Sequence, residues 1–276
     1  MKQRLLVAAV GVPLLIVVLV ILPPDATWIL TAAIAAAAAW ELLHTAGKHV
    51  SPLVYGLTML MAVLTVAYLA MDGWWTANGG RLYFACAYIF VAALFLIAVV
   101  THGRETALPF ATVAVCAVGG LLFPAMYSCI ALLRNVSPAF VLMPFVIAFI
   151  GDSFSMLGGM AFGHKKFAPH VSPNKTWAGF IAGPIGSAIG MVILGIAAKH
   201  IWWLELPVWF LIVTGVVANL FGQLGDLSTS LIKREAGIKD YSHIFLTHGG
   251  VLDRFDSTLF IAPVVYGLLY LLEMTV

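Results

Sequence analysis

The chain alternates long apolar stretches with short polar connectors, and the lengths of those stretches decide its class. A helix needs roughly 17–25 predominantly apolar residues to cross a bilayer. Runs of about that size lie near 5–22, 27–44, 52–71, 82–101, 108–132, 138–162, 177–198, 207–229 and 257–274. The connectors carry turn and breaker residues such as Pro23-Pro24, Asn78-Gly79-Gly80 and Ser137-Pro138. The pattern predicts an all-α, polytopic integral membrane protein with about nine transmembrane helices. A single transmembrane domain over 1–276 is expected, in which the helices of 1–137 form a scaffold and 138–276 carry the catalytic motifs. The first run follows Lys2 and Arg4 as a signal peptide would, but Leu22-Pro23-Pro24-Asp25 offers no small-x-small cleavage site, so a retained helix is expected.

Composition agrees with that class. Hydrophobic residues make up 62% of the 276 and charged residues only 9%, against roughly 25% charged in a soluble domain. A net charge of +2 is too small to imply a nucleic-acid partner. Cys86, Cys116 and Cys129 fall inside apolar runs without CxxC or CxxH spacing, which makes them packing residues. Glu41, near the end of the second run, reads as interfacial.

The placement of the cations is more informative than their number. With the N-terminus in the cytoplasm, that side holds Lys2, Arg4, Lys48, Arg104, Lys165, Lys166, Lys175, Lys233, Arg234, Lys239 and Arg254. Arg81, Arg134 and Lys199 fall on the other side. This is the positive-inside bias, and it puts the polar loops 163–176 and 230–256 on the cytoplasmic face of the cell membrane, where nucleotides are.

The polar residues inside and beside the last spans carry the candidate chemistry. Asn219, Gln223 and Asp226 stand at i, i+4 and i+7, on one helical face, with Gly222 and Gly225 beside them. Asp253 and Asp256 share a face if the ninth helix starts near Val251. Ionisable groups at membrane depth are functional candidates by default, and carboxylates from two helices suit magnesium, which completes its shell with water and phosphate oxygens. The plainer reading makes Asp226 a helix-end residue and Asp253 an acid favoured by the helix dipole. Lys233, Arg234, Lys239 and Arg254 suit phosphate, although such a run also serves as a solvated positive-inside loop. Gly249-Gly250 permits backbone N–H groups to face a phosphate before a helix, and His248 could bind phosphate or move a proton.

A second polar stretch, Gly163 to Thr176, contains the Ser172-Pro173 turn and brings Lys175-Thr176 to the start of the next helix. It is not a Walker A loop. Asp152 either joins the acids or pairs with a lysine. Gly179, Gly183, Gly186 and Gly190 have small-xxx-small spacing, for close packing within the protomer or across a dimer. Neither HExxH, GxSxG nor a dinucleotide fingerprint is found.

The run Ser230-Leu-Ile-Lys-Arg, Lys239-Asp240 and His248-Gly-Gly-Val-Leu-Asp-Arg-Phe-Asp256 resembles the signature of the phosphatidate cytidylyltransferases, and Gly225-Asp226-Leu227 and Ser172-Pro-Asn-Lys-Thr-Trp resemble that family too. The resemblance implies cytidylyl transfer from CTP to phosphatidic acid, giving CDP-diacylglycerol and pyrophosphate. It implies magnesium on Asp226, Asp253 and Asp256, with a second cation such as potassium left open, and a homodimer among membrane lipids. Lys175, Lys233, Arg234, Lys239, His248 and Arg254 are the expected catalytic set; Ser172, Lys175, Thr176, Asn219, Gln223, Lys239, Gly249 and Gly250 are expected to bind substrate. The chain departs from the family pattern at Ala178, where glutamate is usual, at Leu246-Thr247 for proline-glycine, and at His170 for arginine. The acid run of a CDP-alcohol phosphotransferase is not found; a secondary transporter using Asp152 and Asp226 is the alternative of a different class.

Overall fold

The computed structural model describes residues 11–71, 77–244 and 249–273. Among them the helices are α1 (Gly11–Ile21), α2 (Pro24–Ala46), α3 (Pro52–Ala70), α4 (Ala77–Thr101), α5 (Phe110–Val136), α6 (Pro138–Phe162), α7 (Trp177–Trp202), α8 (Val208–Glu235) and α9 (Leu252–Glu273). Eight are long and apolar enough to cross a membrane, and α1 is a shorter apolar helix. The protein is therefore an all-α polytopic membrane protein, as its hydropathy predicts. Its last two helices reach beyond their apolar runs: α8 continues to Glu235, and α9 starts at Leu252, so Asp253, Arg254 and Asp256 lie inside the helix.

One element was not visible in the pattern. The polar loop after α6 folds into an antiparallel hairpin, β1 (Lys166–Ala168) with β2 (Ser172–Thr176), paired Lys166 with Thr176 and Ala168 with Ser172. Its turn is closed by the Val171 N–H donating to the Ala168 carbonyl at 3.3 Å. The hairpin runs directly into α7, whose first turn is capped by the Thr176 hydroxyl accepting from the Gly179 N–H at 3.2 Å.

The chain divides into two compact units, Met1–Leu132 with Glu235–Arg254, and Leu133–Arg234 with Phe255–Val276. In the first, Leu43, Val54, Met61, Phe90, Leu94, Val113 and Cys116 form the core. Here α5 widens into a π turn at Val118–Leu122, where Gly119 lies against Ala39 and Leu43. The Thr65 hydroxyl donates to the Gly120 carbonyl at 3.1 Å, satisfying a backbone group inside an apolar core. All three cysteines are free thiols, in keeping with a packing role.

In the second unit, Leu133, Phe140, Met143, Ile147, Met191, Phe210, Leu211, Ile261 and Val265 form the core. The glycine spacing of α7 serves packing within the chain: a Cβ at Gly179, Gly183, Gly186 or Gly190 would overlap Ser155, Ser155, Phe154 or Ile150 of α6. On the opposite side of α7, Ile181, Ile185, Ile189 and Ile193 are exposed, the arrangement of a helix with one face for protein and one for lipid.

Candidate active site

The second unit encloses a cavity of about 460 Å³ beside the hairpin. Its walls are the last turns of α6 (Asp152, Ser155, Gly159), the strand residues Asn174, Lys175 and Thr176, the first turn of α7, and Gln223 and Asp226 of α8. The sequence places these groups locally in three ways. Gly159 and Gly163 leave room for the Thr176 hydroxyl, which a Cβ at either position would crowd. Phe167 of β1 stacks on Phe180 with ring centroids 4.4 Å apart and meets Trp177 edge-on at 4.7 Å, fastening the hairpin to α7. Arg234, at the end of α8, donates from Nε to the Val171 carbonyl at 3.2 Å and so holds the hairpin turn.

Across the cavity, Lys175 Nζ lies 2.6 Å from Asp226 Oδ2. Their side chains are 25% and 32% exposed, shielded enough to attract strongly and open enough to exchange partners. Asp226 Oδ1 also accepts from the Ser230 hydroxyl at 3.3 Å. Asp256 accepts from the Thr229 hydroxyl at 3.3 Å and from the Ser257 N–H at 2.6 Å. Asp152, Asp226 and Asp256 lie within coulombic reach of one another, with Lys175 and Lys233 as balancing charges. This brings Asp152 into the acid group. Among the described residues, no three His, Cys, Asp or Glu side chains are grouped closely enough to enclose a metal ion by themselves.

The other expected residues fall in several places. Gln223 lines the cavity, and its amide donates to the Phe180 carbonyl at 3.1 Å and to Asn219 Oδ1 at 2.8 Å. Asn219 is 3% exposed and sits behind Gln223, in the seam where Gly151 of α6 comes close. Lys233 is buried, whereas Arg234 is exposed. Ser172 lies in β2 opposite Ala168.

In the first unit, Lys239 and Arg254 are exposed, and Gly249 and Gly250 are buried. Gly249 has φ +79°, a left-handed conformation that suits glycine. Asp253 Oδ2 accepts from the Tyr241 N–H at 2.8 Å and the Gly250 N–H at 2.9 Å, so this acid shapes the loop that precedes it. His248, with Leu246 and Thr247, lies outside the described residues. Sequence reasoning missed the role of Glu41, which is fully buried within the protein and accepts from Ser242, Val251 and Leu252. The sequence offered only the cost of an acid within an apolar run; the groups that satisfy it lie 201 to 211 residues away and were not legible.

A model of the cytidylyltransferase family matches residues 2–272. A phosphatidate cytidylyltransferase of Staphylococcus saprophyticus is 36% identical over 132 residues, 48% of this chain and 49% of that protein. One of Rickettsia typhi is 40% identical over 131 residues, 46% of this chain and 57% of that protein. One of Staphylococcus aureus is 39% identical over 132 residues, 48% of this chain and 49% of that protein. The chain thus spans about half the length of the curated relatives it matches.

Proposed function

The chain belongs to the cytidylyltransferase family, and on that premise we propose that it makes CDP-diacylglycerol and pyrophosphate from CTP and phosphatidic acid. The observation that carries the reading is the Lys175–Asp226 pair on the wall of a cavity at the head of α7, where a cation and a carboxylate meet at a membrane helix end. In the proposed reaction an oxygen of the lipid phosphate attacks the α-phosphorus of CTP. The bond from that phosphorus to the departing diphosphate breaks, and pyrophosphate leaves. The attacking phosphate is already ionised, so positioning and charge stabilisation carry the rate rather than proton removal.

Asp226 already holds an ammonium group in a cation's place, and two carboxylates with phosphate oxygens and water are what magnesium takes. Of the three acids proposed to hold it, Asp226 and Asp256 belong to the second unit, and Asp253, which belongs to the first, keeps its place through the family resemblance alone; when bound, the ion would offset the charge of the triphosphate. In this reading Lys175 leaves Asp226 for a phosphate oxygen when the triphosphate binds. Lys233, Arg234, Lys239 and Arg254 share the remaining phosphate charge, and His248 is assigned to phosphate binding or proton transfer. Thr176, Ser172, Gln223 with Asn219 behind it, and Gly249-Gly250 are assigned to substrate positioning. The same proposal includes a homodimer and cytoplasmic placement of both polar loops.

Asp226 pairs with a lysine from a loop outside the spans, which sets it near a membrane edge and argues against a midplane transport site. Purified protein in detergent should release pyrophosphate only when CTP, phosphatidic acid and magnesium are all present, with CDP-diacylglycerol appearing in step. Folded protein that releases none under these conditions would overturn the assignment, and CTP-independent ion flux in proteoliposomes would restore the transport reading.

A further inference from the structure

Glu41 is the one acid of α2 that its own helix disfavours: it stands in the last two turns, where the helix dipole is negative. It is nevertheless fully buried. Its partners explain this. Oε1 accepts from the Ser242 hydroxyl at 2.5 Å and from the Val251 N–H at 2.8 Å, and Oε2 accepts from the Leu252 N–H at 2.7 Å. The N–H groups of Val251 and Leu252 are among the donors left without a partner where α9 begins. A carboxylate from the C-terminal end of one helix therefore caps the N-terminal end of another, 210 residues away, where negative charge is favoured. Gly250 completes the fit, since a Cβ there would overlap the Glu41 carboxylate.

The second acid of this arrangement, Asp253, binds the Tyr241 and Gly250 N–H groups, so the two carboxylates together fix the backbone at 241–242 and 250–252. These positions bracket the diglycine and lead into Asp253 and Arg254. We infer that Glu41 is a positioning residue for the reaction: its two oxygens hold Ser242 and the start of α9 at Val251 and Leu252, and so fix the backbone that presents Gly250 and Asp253. The inference rests on the cytidylyltransferase reading for its catalytic meaning, and on the hydrogen bonds alone for its structural one.

The distinction between filling space and accepting hydrogen bonds is testable. Glu41→Gln keeps the volume but turns one acceptor oxygen into a donor that faces an N–H group. Hydrogen exchange in detergent should then rise at least tenfold at Val251 and Leu252, with the remaining amides of α2 unchanged. In the pyrophosphate assay, kcat should fall tenfold or more while the KM for phosphatidic acid changes less than twofold. Ser242→Ala, which removes one donor and leaves the carboxylate, should give a smaller change in the same direction, and it serves alone if Glu41→Gln does not fold. Unchanged exchange at Val251 and Leu252 in either folded variant overturns the inference. Faster exchange in the variants with an inactive parent protein overturns the proposed reaction and leaves the loop anchor standing.

Discussion

At the scale of single residues, the Lys175–Asp226 pair makes an unusual forecast. On the proposed magnesium assignment, the ammonium group occupies a carboxylate that the ion would use, and the two would compete. Lys175→Met should therefore raise the affinity for manganese, read by electron paramagnetic resonance without turnover, while raising the KM for CTP roughly tenfold through a lost charge-assisted contact. Asp226→Asn should weaken manganese binding and lower turnover by ~100-fold or more, the scale of losing one preorganised electrostatic group. Near-normal turnover in Asp226→Asn, or weaker manganese binding in Lys175→Met, would show that this pair is only a structural tie. Asp226 was legible from the sequence because an acid inside an apolar run is costly and stands out. Glu41 was not, because its reason for being buried lies 210 residues away and only the folded backbone brings the two together.

At the scale of elements, hydrophobic run length located the helices but could not show which way their small residues face. The glycines of α7 were compatible with packing inside the chain or between chains; the overlap of their missing Cβ atoms with Phe154 and Ser155 decides for the former. Gly183 is the informative position. A methyl group there would press on the Ser155 hydroxyl and stand 3.0 Å from Asn219 Oδ1 and 3.1 Å from Gln223 Nε2. Gly183→Ala should cost about 1–3 kcal/mol by overpacking and disturb Gln223 on the cavity wall. A thermal shift in detergent should record the loss, and an unchanged melting temperature would mean that α6 and α7 yield more easily than this packing implies. The hairpin escaped prediction for a different reason. Strands of three and five residues are too short for a period of two to register. What sets them is the Phe167 stack and the Arg234 bond to Val171, both made across the fold.

At the scale of the molecule, order along the chain and membership of a unit part company. The segment Glu235–Arg254 follows α8 in sequence, yet belongs with the N-terminal helices, and the Glu41 bonds are one cause. A division into an N-terminal scaffold and a C-terminal catalytic half could not foresee that, because hydropathy carries no record of which helix a polar loop rests on. The membrane sidedness expected from the cations, by contrast, is a property of the sequence. At 28 residues, α8 is about 42 Å long at 1.5 Å per residue, more than the roughly 30 Å of a hydrocarbon core, which is length enough for its basic end to reach beyond one face. Lys233 and Arg234 lie at that end, and the hairpin with Lys165, Lys166 and Lys175 is tied to it through Arg234. If both are cytoplasmic, single cysteines introduced at Glu105 and His164, with Cys86, Cys116 and Cys129 replaced, should react with an impermeant maleimide only from the cytoplasmic side. A cysteine at Glu205, in the exposed connector between α7 and α8, should react only from the other side. Labelling of positions 164 and 205 from the same face would break the crossing of α7. The reverse pattern at all three positions would place the cavity and its lysines away from cytoplasmic CTP, which the proposed reaction could not survive.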